Sequence, residues 1–218
     1  MLFPEEYVGE NAESTDKVQA DSKSVHAAQR NVTLIGRQFG SGGHDIGKAL
    51  AEKLGYAFYD QEIIEMTAGT TGYTPEFIQK NEEMMTSSFL YDLVKSRWYM
   101  YAQADEEAPK DKIYEAESKV VKELAEKGNC VIVGRCSDYV LRDNRNCLRV
   151  FFSAPMENRM KRVMERLHLS EKDARQKIQK EDKWRADNYR YYTGRIWGAA
   201  GNFDLTVNTA LGEDYIEM

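Results

Sequence analysis

The sequence has few of the features that mark secreted, disulfide-bonded or membrane-spanning chains. Its apolar runs are short, such as the four residues of Cys130–Val133, and none approaches the roughly 20 needed to cross a bilayer. The first residues lack the basic and apolar segments of a secretory signal. The three cysteines, at positions 130, 136 and 147, show no Cys-x-x-Cys spacing. These absences predict a cytoplasmic protein with reduced thiols, no zinc site and no membrane partner.

The charge is unevenly distributed along the chain. The 218 residues carry a formal net charge of −6, which argues against a nucleic-acid partner. Residues 135–195 alone hold 16 basic and 9 acidic residues, a net charge of +7 that leaves −13 for the rest. A basic block inside an acidic chain indicates a site for a small polyanion, although solvated helix faces would give the same count.

The order of the predicted elements indicates an α/β protein. Short apolar runs predict strands at 32–36, 56–60, 129–133, 148–153 and 203–208. Between these strands lie segments whose apolar residues recur at helical spacing. This alternation predicts a three-layer α/β/α fold with a parallel sheet and helices on both faces. Residues 1–30 are polar and predict a poorly ordered tail with a short helix at 18–30 as its one candidate element, so the predicted single domain spans 31–218.

A glycine-rich turn, Gly40-Ser41-Gly42-Gly43, follows the first predicted strand and precedes an amphipathic helix. Glycines let backbone N–H groups approach a phosphate, and the start of a helix adds unpaired donors and a partial positive charge. The turn therefore predicts a phosphate-binding loop. A tight strand-to-helix turn that uses glycine for backbone reasons alone is the alternative.

The loop lacks two residues of the Walker A pattern, G-x-x-x-x-G-K-[ST]. With Gly42 as the second glycine, Gly43 occupies the lysine position and His44 the Ser/Thr position. A second register ends at Lys48 and Ala49, which puts the lysine more than a turn inside the helix. Arg37 is a candidate substitute cation or a surface residue. Three loop residues are candidates to hold Mg²⁺ or water: Ser41, His44 and Asp45.

Further motifs follow in order along the chain: IGRQFGSGG at 35–43, FYD at 58–60, VIVGRCSDY at 131–139, KWR at 183–185 and YRYYTG at 189–194. Together, over roughly residues 31–212, they resemble the cytidylate kinase-like family, a branch of the P-loop nucleoside-monophosphate kinases. The resemblance implies a parallel-sheet core, a helical monophosphate-binding insert at about 60–112 and a basic helical lid at about 180–198. It also implies ATP as the phosphoryl donor, Mg²⁺ as a cofactor and CMP or dCMP as the acceptor.

The resemblance assigns roles to individual residues. The ATP-binding residues would be Arg37, Gly40, Ser41, Gly42, Gly43 and His44. The acceptor would contact Asp60, Arg135 and Asp138, although either acid could cap a helix and the arginine could lie on the surface. The catalytic cations of the lid would be Lys183, Arg185 and Arg190, with a solvated helix as the alternative. Arg159 and Arg162 match further basic positions, and ion pairs with Glu157 or Glu165 would explain them equally well.

Other functions remain open at this point. The missing lysine and hydroxyl favour a catalytically impaired nucleotide-binding or regulatory protein, whereas Arg135 and the basic lid favour a kinase. Bases stacked on the tyrosines at 189, 191 and 192 would suit a nucleic-acid partner, which the overall acidity disfavours. Related kinases usually continue with a further helix after the last strand, and its absence beyond Asn208 predicts a weak homodimer or cover by the N-terminal tail.

Overall fold

The computed structural model describes residues 30–83 and 108–211 as an α/β protein. The five strands within these ranges form one parallel sheet in the order β2-β3-β1-β4-β5. They are β1 (Val32–Arg37), β2 (Ala57–Tyr59), β3 (Cys130–Val133), β4 (Cys147–Ser153) and β5 (Leu205–Asn208). The predicted parallel α/β sheet is confirmed.

Helices connect successive strands. In chain order they are α1 (Gly43–Leu54), α2 (Glu62–Thr71), α3 (Pro75–Glu83), α4 (Pro109–Lys127), α5 (Ser137–Val140), α6 (Met156–Leu167), α7 (Glu171–Thr193) and a 3₁₀ turn (Ala200–Asn202). Because every strand runs parallel, all the strands end at one edge of the sheet. The glycine-rich turn, the end of β3 and the end of β4 therefore share that edge.

Alternate side chains of β1 point to opposite faces of the sheet. On one face, Val32 and Leu34 pack with Leu124 of α4. On the other face, Ile35 packs with Ala51 of α1. Helices therefore cover both faces of the sheet, which gives the predicted α/β/α layers.

Local signals set several helix boundaries. The N–H of Phe77 donates to Thr74 Oγ1, and the N–H of Asp173 donates to Ser170 Oγ, both at 3.2 Å, so each hydroxyl caps the start of its helix. Helix α4 begins at Pro109, because proline suits the first turn of a helix, where its missing N–H costs no hydrogen bond.

Some predictions lie outside the described residues. These are the N-terminal tail up to residue 29, the short helix at 18–30 apart from its last residue, and the helical stretch at 77–101 beyond residue 83. The three cysteines are buried free thiols. Among the described helices, none combines the length and the apolarity that a membrane crossing requires.

The sheet ends at β5, which has one neighbouring strand, β4. Leu205 at its start is 50% exposed, and Leu211 just beyond its end is 84% exposed. The homodimer and the single-domain boundaries stay predictions.

Candidate active site

The glycine loop, residues 38–42, joins the carboxyl end of β1 to the first turn of α1. Gly40 and Gly42 have φ values of 77° and 85°, a left-handed conformation that glycine adopts without strain. Within the described residues, the backbone N–H groups of Gly40, Gly42 and His44 have no hydrogen-bond acceptor. Donors of this kind at a helix N-terminus form an anion-binding site. The loop thus has the geometry that a phosphate group requires.

The lysine position of the loop has no room for a side chain. Gly43 is buried, and a Cβ atom placed on it would lie 2.8 Å from Arg37 Cβ and 3.1 Å from Phe152 Cβ. In the alternative register, Lys48 is exposed and lies in the second turn of α1. Neither register brings a lysine to the glycine loop.

The side chains considered for a metal ion are engaged elsewhere. Ser41 is fully buried, and its Oγ accepts a hydrogen bond from the N–H of Gly43. His44 Nδ1 lies 2.7 Å from Asp60 Oδ2, and Asp45 forms an ion pair with an α6 arginine. No group of three or more metal-ligating side chains occurs in the ranges 30–83 and 108–211. This donor set fits a Mg²⁺ ion that arrives on the phosphates of a nucleotide.

Two arginines of α6 form hydrogen bonds with backbone carbonyl groups of the glycine loop. Arg159 Nη1 and Arg162 Nη1 donate hydrogen bonds to carbonyl oxygens of the loop at 3.3 and 3.0 Å. The ion pairs considered for them, with Glu157 or Glu165, are not formed, so that alternative is wrong. The physical reason is orientation, because both guanidinium groups point inward, and Arg159 is only 6% exposed.

Helix α7, which contains the predicted lid residues, contacts the same loop. Asp182 accepts a hydrogen bond from the N–H of Phe39 at 2.8 Å and another from the guanidinium of Arg159. One turn further on, Arg185 Nη1 donates to the carbonyl of Arg37 at 3.1 Å. These contacts dock the middle of α7 on the glycine loop.

A cavity of about 320 Å³, here called the arginine cavity, opens beside the glycine loop. Five predicted site residues line it: Arg37, Asp60, Arg135, Asp138 and Arg185. Other lining residues include the carboxylate of Glu181 and several aromatic and amide side chains: Trp184, Trp197, Phe203, Gln61, Gln79 and Asn188. The glycine loop residues 40–42, with Gly43 and His44, lie outside this lining. Lys183 and Arg190 are exposed on α7 and also lie outside it.

Three arginines concentrate positive charge on the cavity. Burial lowers the pKa of Arg37 below its ordinary value. Burial first, and the charge of Arg37 second, lower the pKa of Arg135 to about 10 and that of Arg185 to about 9. Asp60 Oδ1 lies 3.4 Å from Arg37 Nη2 and offsets part of this positive charge. Guanidinium groups gathered in a buried site favour a bound anion, because an anion relieves both desolvation and mutual repulsion.

Asp60 does not cap a helix. Helix α2 begins at Glu62 after Gln61, and the carboxylate of Asp60 instead contacts both Arg37 and His44. The capping alternative for Asp60 is therefore wrong. Asp60 follows the end of β2, and its carboxylate points toward the glycine loop. The carboxylate therefore connects His44, next to the loop, with Arg37, which lines the arginine cavity.

An unusual turn after β3 aims Arg135 into the cavity. Three consecutive residues, Gly134, Arg135 and Cys136, have positive φ values of 81°, 57° and 50°. Left-handed conformations cost energy for the two residues that carry a Cβ atom, so the surrounding contacts must hold them. A Cβ atom at Gly134 would also meet the guanidinium of Arg37, which would have to shift.

Glu117 of α4 stands behind Arg135 and was not predicted. Its Oε1 lies 3.3 Å from Arg135 Nη1, although the two groups are not aligned for a hydrogen bond. Burial raises the pKa of Glu117 to about 8, and the charge of Lys110 opposes that rise. Burial also lowers the pKa of Lys110 to about 7. A sequence signal existed, because both residues share the apolar face of α4 with Ile113, where charged side chains are rare.

Asp138 connects the cavity to α7. Tyr189 Oη donates a hydrogen bond of 2.6 Å to Asp138 Oδ2 inside the protein. Burial raises the pKa of Asp138, and the hydrogen bond from Tyr189 opposes that rise. Asp138 lies in the first turn of the short helix α5, whose N-cap residue is Cys136. The side chain of Cys136 forms no capping hydrogen bond. The carboxylate therefore fastens α7 to the edge of the sheet.

The parallel sheet, the glycine loop and the adjoining arginine cavity define an α/β protein of the P-loop kinase class. Residues 31–211 match the cytidylate kinase-like family, and the chain belongs to that family. The resemblance drawn from the motifs is thereby confirmed. A search of curated proteins gives no significant match.

Several solved structures are similar to this chain to different degrees. An uncharacterized protein from Eubacterium ventriosum is 28% identical, with a TM-score of 0.58 over 81% of this chain and 86% of that one. The shikimate kinase of Bacteroides thetaiotaomicron is 16% identical, with a TM-score of 0.45 over 85% and 91%. A deoxyadenosine kinase from M. mycoides is 13% identical, with a TM-score of 0.39 over 83% and 92%.

Proposed function

We propose that this protein is a small-molecule kinase that transfers the γ-phosphoryl group of ATP to CMP, dCMP or a related phosphorylated acceptor. The observation that carries the proposal is the arrangement of three arginines, Arg37, Arg135 and Arg185, around a cavity beside the glycine loop. The free N–H groups of the loop suit the phosphates of the donor. The arginines suit the phosphate of the acceptor.

The proposed reaction requires the protein to position the two substrates and to neutralise the negative charge of their phosphate groups. An oxygen of the acceptor phosphate attacks the γ-phosphorus, the bond from that phosphorus to the bridging oxygen breaks, and ADP leaves. A phosphate oxygen is already anionic, so a strong general base is not needed. Arg135 would orient the acceptor. Arg185 touches the strand that leads into the loop and also lines the cavity, so it is suited to stabilise the phosphoryl group in transit.

Mg²⁺ enters this proposal as part of the substrate, because ATP carries it on its phosphates. When bound there, it would draw negative charge from the γ-phosphoryl group. Lys183 and Arg190 are proposed as further cations on the strength of the family resemblance. Both side chains are exposed in this structure, so they would act from the solvent side of the site.

A coupled assay of ADP release tests the proposal. ATP and Mg²⁺ are supplied with CMP, dCMP, UMP, AMP, GMP or shikimate in turn, and folding is verified by circular dichroism. We expect turnover with CMP or dCMP above the rate of ATP hydrolysis without acceptor. Folded protein that shows no acceptor-dependent turnover with any compound of the panel would sink the proposal.

A second candidate function is nucleotide binding without catalysis. It is favoured by one specific observation: position 43 is packed too tightly for a lysine, and His44 replaces the usual metal-binding hydroxyl. Calorimetric titration with ATP, ADP and CMP separates the two functions. Binding of these nucleotides without turnover selects the regulatory candidate.

A further inference from the structure

Arg162 occupies an unusual electrostatic position beneath the glycine loop. Its Nη1 donates to the carbonyl of Ser41 at 3.0 Å and to that of Gly40 at 3.5 Å. The same nitrogen donates to Thr209 Oγ1, and Nη2 donates to the carbonyl of Thr209, both at 3.0 Å. Each of these acceptors is a neutral oxygen. The guanidinium is therefore held in place without being neutralised.

The neighbouring arginines of the same helix provide the contrast. Arg159, three residues earlier on α6, contacts the carboxylate of Asp182. Arg166, four residues later, pairs with Asp45 at 3.1 Å. Within the described residues, Arg162 has no carboxylate partner. Of these three arginines on one helix face, the middle one keeps its charge uncompensated.

That charge lies directly under the part of the loop that faces a phosphate. A Cβ atom placed on Gly42 would lie 3.8 Å from Arg162 Nη1. Gly42 immediately precedes position 43, where the packing excludes a lysine. A positive charge that is held in a fixed position and has no carboxylate partner among the described residues attracts an anion placed close to it.

We propose that Arg162 supplies, from beneath the glycine loop, the positive charge toward nucleotide phosphates that a lysine at position 43 supplies in other phosphate-binding loops. The inference rests on the proposed function in one respect, the placement of ATP phosphates on this loop. Arg162 acts through the loop that it holds and is a positioning residue. Its role also accounts for how a loop without its lysine retains an anion site.

Calorimetry on three variants tests this role with ATP, pyrophosphate and adenosine as probes. Arg162→Gln removes the charge and should weaken ATP and pyrophosphate binding about tenfold or more. Arg162→Lys keeps the charge but not the full set of hydrogen bonds, so it should lose clearly less affinity than Arg162→Gln. Arg166→Gln, the matched control on the same helix, should stay within about twofold, because its ion pair is exposed. Adenosine carries no charge and should bind all variants alike.

Two further measurements separate charge from anchoring. Thr209→Val removes a neutral anchor but no charge, so it should lower the melting temperature and leave the ATP dissociation constant within about threefold. The salt dependence of ATP binding should become shallower in Arg162→Gln, because one fixed charge is lost. A purely structural role would change the melting temperature and leave this slope unaltered.

Each result of these measurements supports or overturns the proposed role of Arg162. It is overturned if Arg162→Gln binds pyrophosphate within twofold of wild type, or if Arg162→Lys loses as much affinity as Arg162→Gln. Should Arg162→Gln fail to fold, Arg162→Lys decides alone: a loss of affinity below about tenfold supports the role, and a larger loss overturns it. Wild-type protein that binds neither ATP nor pyrophosphate overturns it as well. If nucleotide binding follows this pattern and no acceptor is phosphorylated, the role of Arg162 stands and the proposed kinase activity fails.

Discussion

The glycine loop and the arginine cavity are neighbours that carry positive charge in different ways. Behind the loop, Arg162 is held by neutral oxygens alone. In the cavity, Arg37 and Arg135 each have a carboxylate within 3.4 Å, from Asp60 and Glu117 respectively. The loop thus has one uncompensated charge, and the cavity has a cluster that is partly neutralised.

This difference suits two different ligands. A polyphosphate donor carries several charges and Mg²⁺, so a single cation and backbone N–H groups are sufficient to hold it. A monophosphate acceptor is smaller and must be oriented, which guanidinium groups held inside a cavity do well. Each prediction below separates the contribution of one region from that of the other.

The largest expected effect concerns the arginine that touches both regions. Arg185→Ala should lower kcat about 10³-fold, because this guanidinium lines the cavity and contacts the strand entering the loop. Lys183→Ala and Arg190→Ala should each lower kcat less than tenfold, because both side chains are exposed. Steady-state rates with saturating CMP check this ranking. Equal losses in the three variants would mean that α7 rearranges during turnover.

Arg135→Ala should affect the cavity alone. We expect kcat/KM for the acceptor to fall about 100-fold, because the orienting guanidinium is lost. The dissociation constant of ATP should stay within about twofold. Arg142→Ala, an exposed arginine seven residues away, is the matched control and should leave both quantities unchanged. A parallel loss of ATP affinity in Arg135→Ala would show that donor and acceptor sites are not separate.

Restoring the lysine of the Walker pattern should damage the loop. Gly43→Lys should lower the free energy of unfolding by about 1–3 kcal/mol, because its Cβ would collide with β1 and β4. ATP affinity should not improve. Gly69→Lys on α2 is the control, since nothing lies within 4 Å of a Cβ atom there. Urea unfolding of the two variants and ATP titration measure the effect, and tighter ATP binding by a stable Gly43→Lys protein would contradict the account.

The smallest effect concerns the pH dependence of stability behind the cavity. The pKa of Glu117 rises from 4.5 to about 8 in the folded protein, so between these values the folded state binds more protons than the unfolded state. The free energy of unfolding of wild type, relative to Glu117→Gln, should therefore fall as pH rises from about 5 to about 8. Because Lys110 and Glu117 act on each other's pKa, this difference reports the titration of the pair.

Urea titrations at about pH 5 and about pH 8 measure that difference. Glu123→Gln, an exposed residue of the same helix, should parallel wild type at both pH values. A difference between wild type and Glu117→Gln that does not change with pH would show that Glu117 titrates normally.

Much of the fold could be predicted from the sequence, for physical reasons. Buried parallel strands are short apolar runs, and helix ends carry local signals such as Ser170 and Thr74. The glycine loop was predicted because its chemistry depends on adjacent residues. Arg135 and Asp60 were predicted because parallel strands end at one edge and the motifs there resemble a known family.

The remaining parts of the site depend on contacts between residues that are distant in sequence. The distance from Arg162 to Thr209 is 47 positions, and that from Phe39 to Asp182 is 143. Spacing within one helix suggested ion pairs for the arginines of α6, but tertiary packing turned these side chains inward. The exclusion of a side chain at Gly43 depends on Phe152 of a neighbouring strand, which no local pattern reveals.

The central claim is that a nucleotide donor on the glycine loop and a phosphorylated acceptor in the arginine cavity lie end to end. Calorimetric titration with a compound that joins adenosine to cytidine through a chain of phosphates tests this most directly. Because one molecule would occupy both sites, we predict that it binds at least about 100-fold more tightly than ATP or CMP alone. Affinity no greater than that of ATP, for every length of the phosphate chain, would contradict the account.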